Sequence, residues 1–408
     1  MKKILVIGYV WPEPNSSAAG SHMMSILRLF KQQHWQVEFA TPAQATEHMI
    51  DLTNEGISSQ HITLNCDSFD RYVVDYQPDL VMFDRFMMEE QFGWRIEQNC
   101  PNAIKILDTE DLQCLRHARY QAHKAERELN QQDLFSDIAK REIAAILRCD
   151  ISLIISSFEM DLLVDTFKVD ASLLLHLPFM IDLAKCPSTT TPFAERKHFM
   201  TIGNFRHAPN WDAVLYLQTI WPLIRKQIPE AECHIYGSYP PPKATALNNP
   251  KTGFLIKGWV NDALSVMEQS RICLAPLRFG AGLKGKLIDA MIMQTPSVTT
   301  SIGSEAMHQY EAWPGVVADD VDDFVAAAVN LYHDESTWLN AQQNGISLLK
   351  SRYDSRILAA QLITKITEVE QDLTQHRLNN FIGSMLKHHS MMSTKYMSQW
   401  IAAKNKQD

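Results

Sequence analysis

The fold turns on the stretch Arg278-Phe279-Gly280-Ala281-Gly282-Leu283-Lys284-Gly285-Lys286-Leu287-Ile288-Asp289-Ala290-Met291. Ahead of it, Ile272-Cys273-Leu274-Ala275-Pro276-Leu277 is an apolar run of strand length; behind it, Leu287, Ile288, Ala290 and Met291 recur with helical spacing. The segment reads as strand, glycine-rich turn and helix. Glycines let backbone N–H groups approach an anion closely, and a helix N-terminus adds partial positive charge. Lys284 and Lys286 at the helix start favour a phosphate or diphosphate, and Asp289, one turn on, can accept hydrogen bonds from ribose hydroxyls. The competing reading is a tight strand-to-helix turn with solvated lysines, since short glycine motifs also arise by chance.

Working outward, 408 residues exceed a single core and call for about two domains. A hydrophobic content of 46% with 21% charged residues is that of an ordinary globular chain. A formal net charge of −9 argues against a general nucleic-acid binder, which needs a basic surface to displace counterions. The seven cysteines are scattered, odd in number and without a Cys-x-x-Cys pair, which favours reduced thiols in a cytoplasmic protein and argues against zinc. Met1-Lys2-Lys3 before Ile4-Leu5-Val6-Ile7 is too short an apolar run for a signal peptide, and no stretch approaches the length of a membrane span.

Strand and helix patterns alternate along both halves. Residues 3–9 read as a buried parallel strand, followed by a loop with Pro12, Pro14, Ser17 and Gly20 and a helix carrying Met23, Ile26, Leu27 and Phe30. Ser17 and Gly20 stand at the rim of a cleft or in a plain connection. Further strands are expected at Gln36–Thr41, Ile62–Leu64, Asp79–Phe83, Ala103–Leu107, Ile151–Ile155 and Leu173–Leu177, with helices over about 111–130 and 133–148. Asp84, Arg85, Asp108, Glu110 and Asp111 fall at strand C-terminal ends, where ligands bind in open parallel sheets. Asp84 is expected to face the cleft, and Asp108 or Thr109 to cap the next helix.

The Pro/Thr-rich stretch 183–197 is the linker candidate. Beyond it, strands are expected at Phe199–Ile202, His234–Tyr236, Phe254–Ile256, Ile272–Leu277 and Pro296–Thr300, with a helix over 210–227 that Pro222 should bend. The expected division is 1–185, a Rossmann-like domain on the acceptor side; 196–370, a second Rossmann-like domain; and 371–408, an amphipathic helical tail. In the tail, Leu378, Phe381, Ile382, Met385 and Leu386 form one apolar stripe and Tyr396, Met397, Trp400 and Ile401 another. Arg377, Lys387, Lys395, Lys404 and Lys406 there outnumber Asp372 and Asp408. Such a tail lies on an anionic membrane, packs on its own protein, or meets a second copy.

Several blocks then come in a fixed order: Gly203-Asn204-Phe205-Arg206-His207-Ala208-Pro209-Asn210-Trp211-Asp212-Ala213, Ile220-Trp221-Pro222, His234-Ile235-Tyr236-Gly237, Gly258-Trp259-Val260, Ala275 to Gly282, Lys286 to Met291, and Gly303-Ser304-Glu305. In these the chain resembles the family-four (group 1) glycosyltransferases of GT-B fold, two Rossmann-like doubly wound domains facing a cleft. The resemblance implies retaining transfer of a sugar from a nucleoside diphosphate sugar (UDP or GDP) to a glycan, lipid-linked or protein acceptor, with no metal and no other cofactor. It implies that Arg206 and Lys286 hold the diphosphate and stabilise its charge, beside the N–H groups of Gly282 and Leu283 and helped by Lys284. Gly203, Asn204, Gly280 and Glu305 join the donor site, Asp289 replaces the family's ribose-binding glutamate, and the backbone of Trp259 and Val260 meets the base. Asp84 falls where the family has a histidine, as the catalytic candidate of the first domain. Ala281 stands where the family has a further glutamate, a departure that bears on the donor sugar. Other readings of the same fold are a non-catalytic assembly protein and a sugar-nucleotide epimerase.

Overall fold

A computed structural model of the chain describes residues 1–405, the side chains of residues 389–392 excepted. Lys406 and Asp408 of the tail lie outside the described residues. The first half forms β1 (Lys3–Ile7), β2 (Gln36–Thr41), β3 (Ser58–His61), β4 (Leu80–Asp84), β5 (Ile104–Asp108), β6 (Ile151–Ile154) and β7 (Leu174–His176). They pair in the order β3-β2-β1-β4-β5-β6-β7, parallel throughout. The second half forms β8 (Lys197–Ile202), β9 (Cys233–Tyr236), β10 (Phe254–Gly258), β11 (Ser270–Ala275), β12 (Ser297–Thr299) and β13 (Gly315–Val317). Their order is β10-β9-β8-β11-β12-β13, again parallel. Both are doubly wound, because central strands such as Ile-Leu-Val-Ile in β1 are apolar on both faces and need helices on both sides.

Each sheet reverses its winding at one point, between β1 and β4 in the first and between β8 and β11 in the second. The loops leaving those four strands open a crevice at the carboxyl edge, where ligands bind in such sheets. Residues 8–17, Asp84 and Arg85, 203–207 and 276–284 all lie there.

Several expectations are corrected. The strand expected at Ile62–Leu64 lies at Ser58–His61; it is an exposed polar edge strand, so hydrophobic alternation does not reveal it. β13 was not anticipated, being only three residues long. The helix expected to start near Asp111 starts at Gln113 without a side-chain cap from Asp108 or Thr109. Glu142, from the Asp137–Arg148 helix, instead accepts the N–H groups of Gln113 and Cys114 at 2.9 Å each. As expected over 210–227, a helix covers this stretch, Ala208–Gln227, with Pro222 inside it.

The span 196–370 does not stay with the second sheet. The chain recrosses at Tyr353–Ser355, where Ile181 N–H donates to Tyr353 O at 2.8 Å and Ser355 N–H to Ile181 O at 3.0 Å. The helix Ser355–Gln371 then buries Leu358, Leu362, Ile366 and Val369 in the first domain's core with Ile4, Val6, Ile104 and Ile151. Between the domains an apolar cluster joins Ile155 and Phe179 to Ala275, Leu287, Ile288 and Tyr353. No described helix is long and apolar enough to cross a membrane.

Candidate donor site between the domains

The Gly285–Ile292 helix begins in the crevice, directly after the β11 loop. Its opening residue is a glycine for a steric reason: a Cβ at Gly285 would lie 2.4 Å from the Cβ of Ala18, the first residue of the Ala18–Gln32 helix. Two helix N-termini, one from each domain, therefore meet across the cleft. Among the described residues no acceptor meets the N–H groups of Leu283, Gly285 or Lys286, as expected of a helix start that leaves its first donors unpaired.

Lys286 sits at this end, its Nζ donating to Asn210 Oδ1 at 2.9 Å, while Asn210 Nδ2 donates to Asn204 O at 3.1 Å. The start of the Ala208–Gln227 helix, tied to the loop after β8, thus positions the lysine head. No carboxylate pairs with it among the described residues, and burial lowers its pKa to about 8. Asp289, one turn on, is likewise unpaired, and burial raises it to about 7. Arg206, also after β8, is exposed, and its guanidinium lies 3.7 Å from the centre of the Tyr239 ring. His207 follows it and is also exposed; crowding by the surrounding groups, then the Arg116, Lys286 and Arg85 cations, push its pKa below the usual imidazole value. Among the described residues, two cations without a carboxylate partner, N–H groups without an acceptor and a carboxylate without a cation partner thus lie about one cleft. Cations and N–H groups of this kind are able to hold an anion, and a carboxylate is able to accept hydrogen bonds from hydroxyls.

Other anticipated residues are committed to the opposite domain. Gly282 N–H donates to Glu159 Oε1 at 2.8 Å, an acceptor shared with Leu112 N–H at 3.2 Å. That amide, expected to face an anion, is taken up because Glu159 is wholly buried under the loop; burial and Asp111 raise its pKa to about 8. Gly282 has φ +61, and a Cβ there would lie 2.8 Å from Asp111 Cβ. Glu305, expected at the donor, makes a two-point ion pair with Arg119 at 2.7 Å and 2.7 Å, and Arg119 also donates to Gly280 O at 2.8 Å. Lys284 turns back to donate to Gly282 O at 2.7 Å; burial lowers it to about 8. It is a loop brace in this arrangement.

Asp84 is not on the cleft surface. It is buried, its Oδ2 accepts Tyr9 N–H at 3.0 Å, and its Oδ1 has no hydrogen-bond partner. The residue that projects from this strand end is Arg85, held at φ +69 with its guanidinium 5.2 Å from the Tyr9 ring. Beneath lie Asp108, which burial and then Asp84 raise to about 7, and His22, which burial lowers to about 4. Their 3.9 Å approach is therefore no ion pair at neutral pH. Ser17 caps the Ala18–Gln32 helix by accepting Gly20 N–H at 3.0 Å, so both residues shape the loop.

The rim is closed by contacts that no motif announced. Ser16 and Ser238 hydroxyls meet at 2.9 Å, Tyr239 Oη donates to Glu13 Oε1 at 3.1 Å, and the His48 ring stacks on Trp259 at 3.8 Å and 7°. Glu13, His48, Arg119 and Glu159 come from the first domain, where the sequence carries no recurring motif to mark them. The rings of Trp259 and His48 stand beside the backbone of Val260, expected to meet a base.

Residues 196–334 match the family described as "Glycosyl transferases group 1". No curated protein matches the chain. Among solved structures, TarM of S. aureus, in complex with fondaparinux, alpha-GlcNAc-glycerol and UDP, is similar at 11% identity and TM-score 0.69, over 90% of this chain and 99% of that one. Sucrose-phosphate synthase of Thermosynechococcus elongatus is similar at 15% identity and TM-score 0.66, over 90% and 99%. HepE of Anabaena, in complex with UDP and glucose, is similar at 12% identity and TM-score 0.67, over 90% and 100%. At these identities the neighbours establish the two-domain fold.

Proposed function

We propose that this group 1 glycosyltransferase moves a sugar from a nucleoside diphosphate sugar to a hydroxyl of a glycan, lipid-linked or protein acceptor, with retention at the anomeric carbon. One observation carries the reading: Lys286 and the free N–H groups at the start of Gly285–Ile292 share the cleft with unpaired Asp289 and exposed Arg206. The diphosphate sits between Lys286 and Arg206, the ribose hydroxyls donate to Asp289, and the base lies by Trp259 and Val260. UDP is the first nucleotide to test, because TarM and HepE were each solved with it.

As the bond from the anomeric carbon to the diphosphate oxygen breaks, negative charge grows on that oxygen, where Lys286 and Arg206 stabilise it. The acceptor oxygen bonds the same face of the carbon, and its proton passes to the departing diphosphate. No protein nucleophile is required, and the charge-stabilising role belongs to the two side chains rather than to a metal. Asp84 acts indirectly, by anchoring Tyr9 and Arg85 at the first domain's edge. Ala281 leaves the sugar without the carboxylate the family has there, so hydroxyl recognition falls to other groups. The reduced cysteines fit a cytoplasmic enzyme, with the tail as a surface for a membrane or a second copy.

The test is thermal stabilisation by UDP, GDP and ADP and their sugars, in wild type and Lys286→Ala. A ligand that binds only the folded state raises the midpoint with its concentration over its Kd. A shift for one base, lost in Lys286→Ala, supports the reading. No shift with any of them, in folded protein, overturns it.

A further inference from the structure

The helix Phe381–Asn405 lies along the first domain, against the helices Phe86–Asn99 and Asp137–Arg148, with its polarity reversed. At about 100° per residue, Gly383, Lys387, Thr394 and Ser398 share its inner face. There Gly383 packs at Leu147 O, Lys387 pairs with Glu97 at 3.7 Å, and the Ser398 hydroxyl donates to Asn65 Oδ1 at 2.9 Å. Phe381, Ile382, Met385, Tyr396, Met397 and Trp400 fall within one outward arc of roughly 160°. They are open to solvent, Phe381 at 70% and Trp400 at 60%. An amphipathic helix normally turns its apolar side to the protein. Here small and polar residues face the protein, and two apolar patches face out on the same arc, Phe381, Ile382 and Met385 at one end and Tyr396, Met397 and Trp400 at the other.

Charge selects what covers the arc. Residues 381–405 contain no aspartate or glutamate, in a chain whose net charge is −9; of their three lysines Lys387 is paired inward with Glu97, which leaves Lys395 and Lys404 for the outward side. Lys395 and Lys404 fall on opposite edges of the arc, and Lys404 Nζ lies 5.5 Å from the centre of the Trp400 ring. Two copies of this face would bring like charges together, without the opposite-sign flanks that pair helices. Lysines edging an arc with Tyr and Trp instead suit an anionic lipid interface: the rings enter the headgroup region and the ammonium groups reach the phosphates.

We propose that the outward face of Phe381–Asn405 docks the first domain on an anionic lipid surface, holding the cleft beside a membrane. This goes beyond sugar transfer, and its test needs no turnover. Flotation of the full chain would be measured with phosphatidylcholine vesicles and with vesicles half phosphatidylglycerol, for wild type, Phe381→Ser/Trp400→Ser and Lys395→Glu/Lys404→Glu. Thermal midpoints would report folding, and light scattering the mass in solution. Both variants change outward side chains and should melt as wild type does. Wild type should float with the anionic vesicles, weaken with salt, and bind neutral vesicles far less; each variant should lose roughly tenfold or more in binding. Three results would overturn the proposal: no flotation of wild type, equal binding to neutral vesicles, or a wild-type dimer that Phe381→Ser/Trp400→Ser converts to monomer.

Discussion

Replacing Lys286 by alanine separates a binding role from a structural one. The lysine hydrogen-bonds Asn210 at 2.9 Å, has no carboxylate partner among the described residues, and is held by burial at about 8. At pH 7 a group of that pKa is roughly nine-tenths protonated. A hydrogen bond from a cation to a diphosphate oxygen contributes about 1.5–3 kcal/mol, so its loss should weaken nucleotide binding roughly 10- to 150-fold. Arg206 and the helix N–H groups remain, so binding should not vanish. Stability should move the other way. A lysine whose folded pKa lies below its unfolded value is disfavoured as a cation in the folded state, so the wild-type protein gains stability as pH rises from about 8 toward 10.5. Below that window the buried charge is a cost, and Lys286→Ala should melt no lower than wild type at pH 7. Calorimetric titration with UDP or the nucleotide found active, from pH 7 to 9, is the assay. Wild-type affinity should fall above pH 8 by up to about tenfold per unit, and Lys286→Arg, still charged there, should flatten that fall. Equal affinity in Lys286→Ala, or an unchanged alkaline fall in Lys286→Arg, would refute the assignment.

Three further outcomes follow from the same geometry. Asp289 is raised to about 7, so affinity for a ribonucleotide should climb as pH rises through 7 and the carboxylate ionises; Asp289→Asn should remove that limb and narrow the preference over the 2′-deoxy nucleotide. Arg119→Ala strands Glu305 and frees Gly280 O, so the domains should part, at a cost of roughly 3 kcal/mol for one member of a largely buried pair, seen as a larger radius of gyration in solution scattering. Gly285→Ala sets a methyl 2.4 Å from Ala18 Cβ, and its overpacking should cost about 1–3 kcal/mol in urea melts while slowing transfer.

The second domain was more legible than the first, and the reason is local. The β8 loop, the β11 loop and the Gly285–Ile292 helix are contiguous segments whose glycines, lysines and apolar periods sit within a few residues of each other. Arg206, Lys286 and Asp289 are therefore marked by their local sequence. Glu159 and Arg119 act on that loop from 123 and 161 residues away in the chain, the separations of the Glu159–Gly282 and Arg119–Gly280 contacts. Nothing in the composition of their helices marks them. Asp84 was rightly set at a strand end, but its burial depends on Tyr9 and Arg85 closing over it. The end of the second domain is not legible near 370, because Ser355–Gln371 reads as one more amphipathic helix. Only the face it covers reveals that it belongs to the first domain.

The most direct test of the account is turnover. Purified protein would be incubated with UDP-, GDP- and ADP-sugars and candidate acceptors, with nucleoside diphosphate release followed by chromatography and the product anomer by proton NMR. The account predicts release from donors of one base, a product with the donor's anomeric configuration, and loss of turnover in Arg206→Ala and Lys286→Ala that still fold. An inverted product would contradict the same-face mechanism, and undiminished turnover in both variants would contradict the donor site itself.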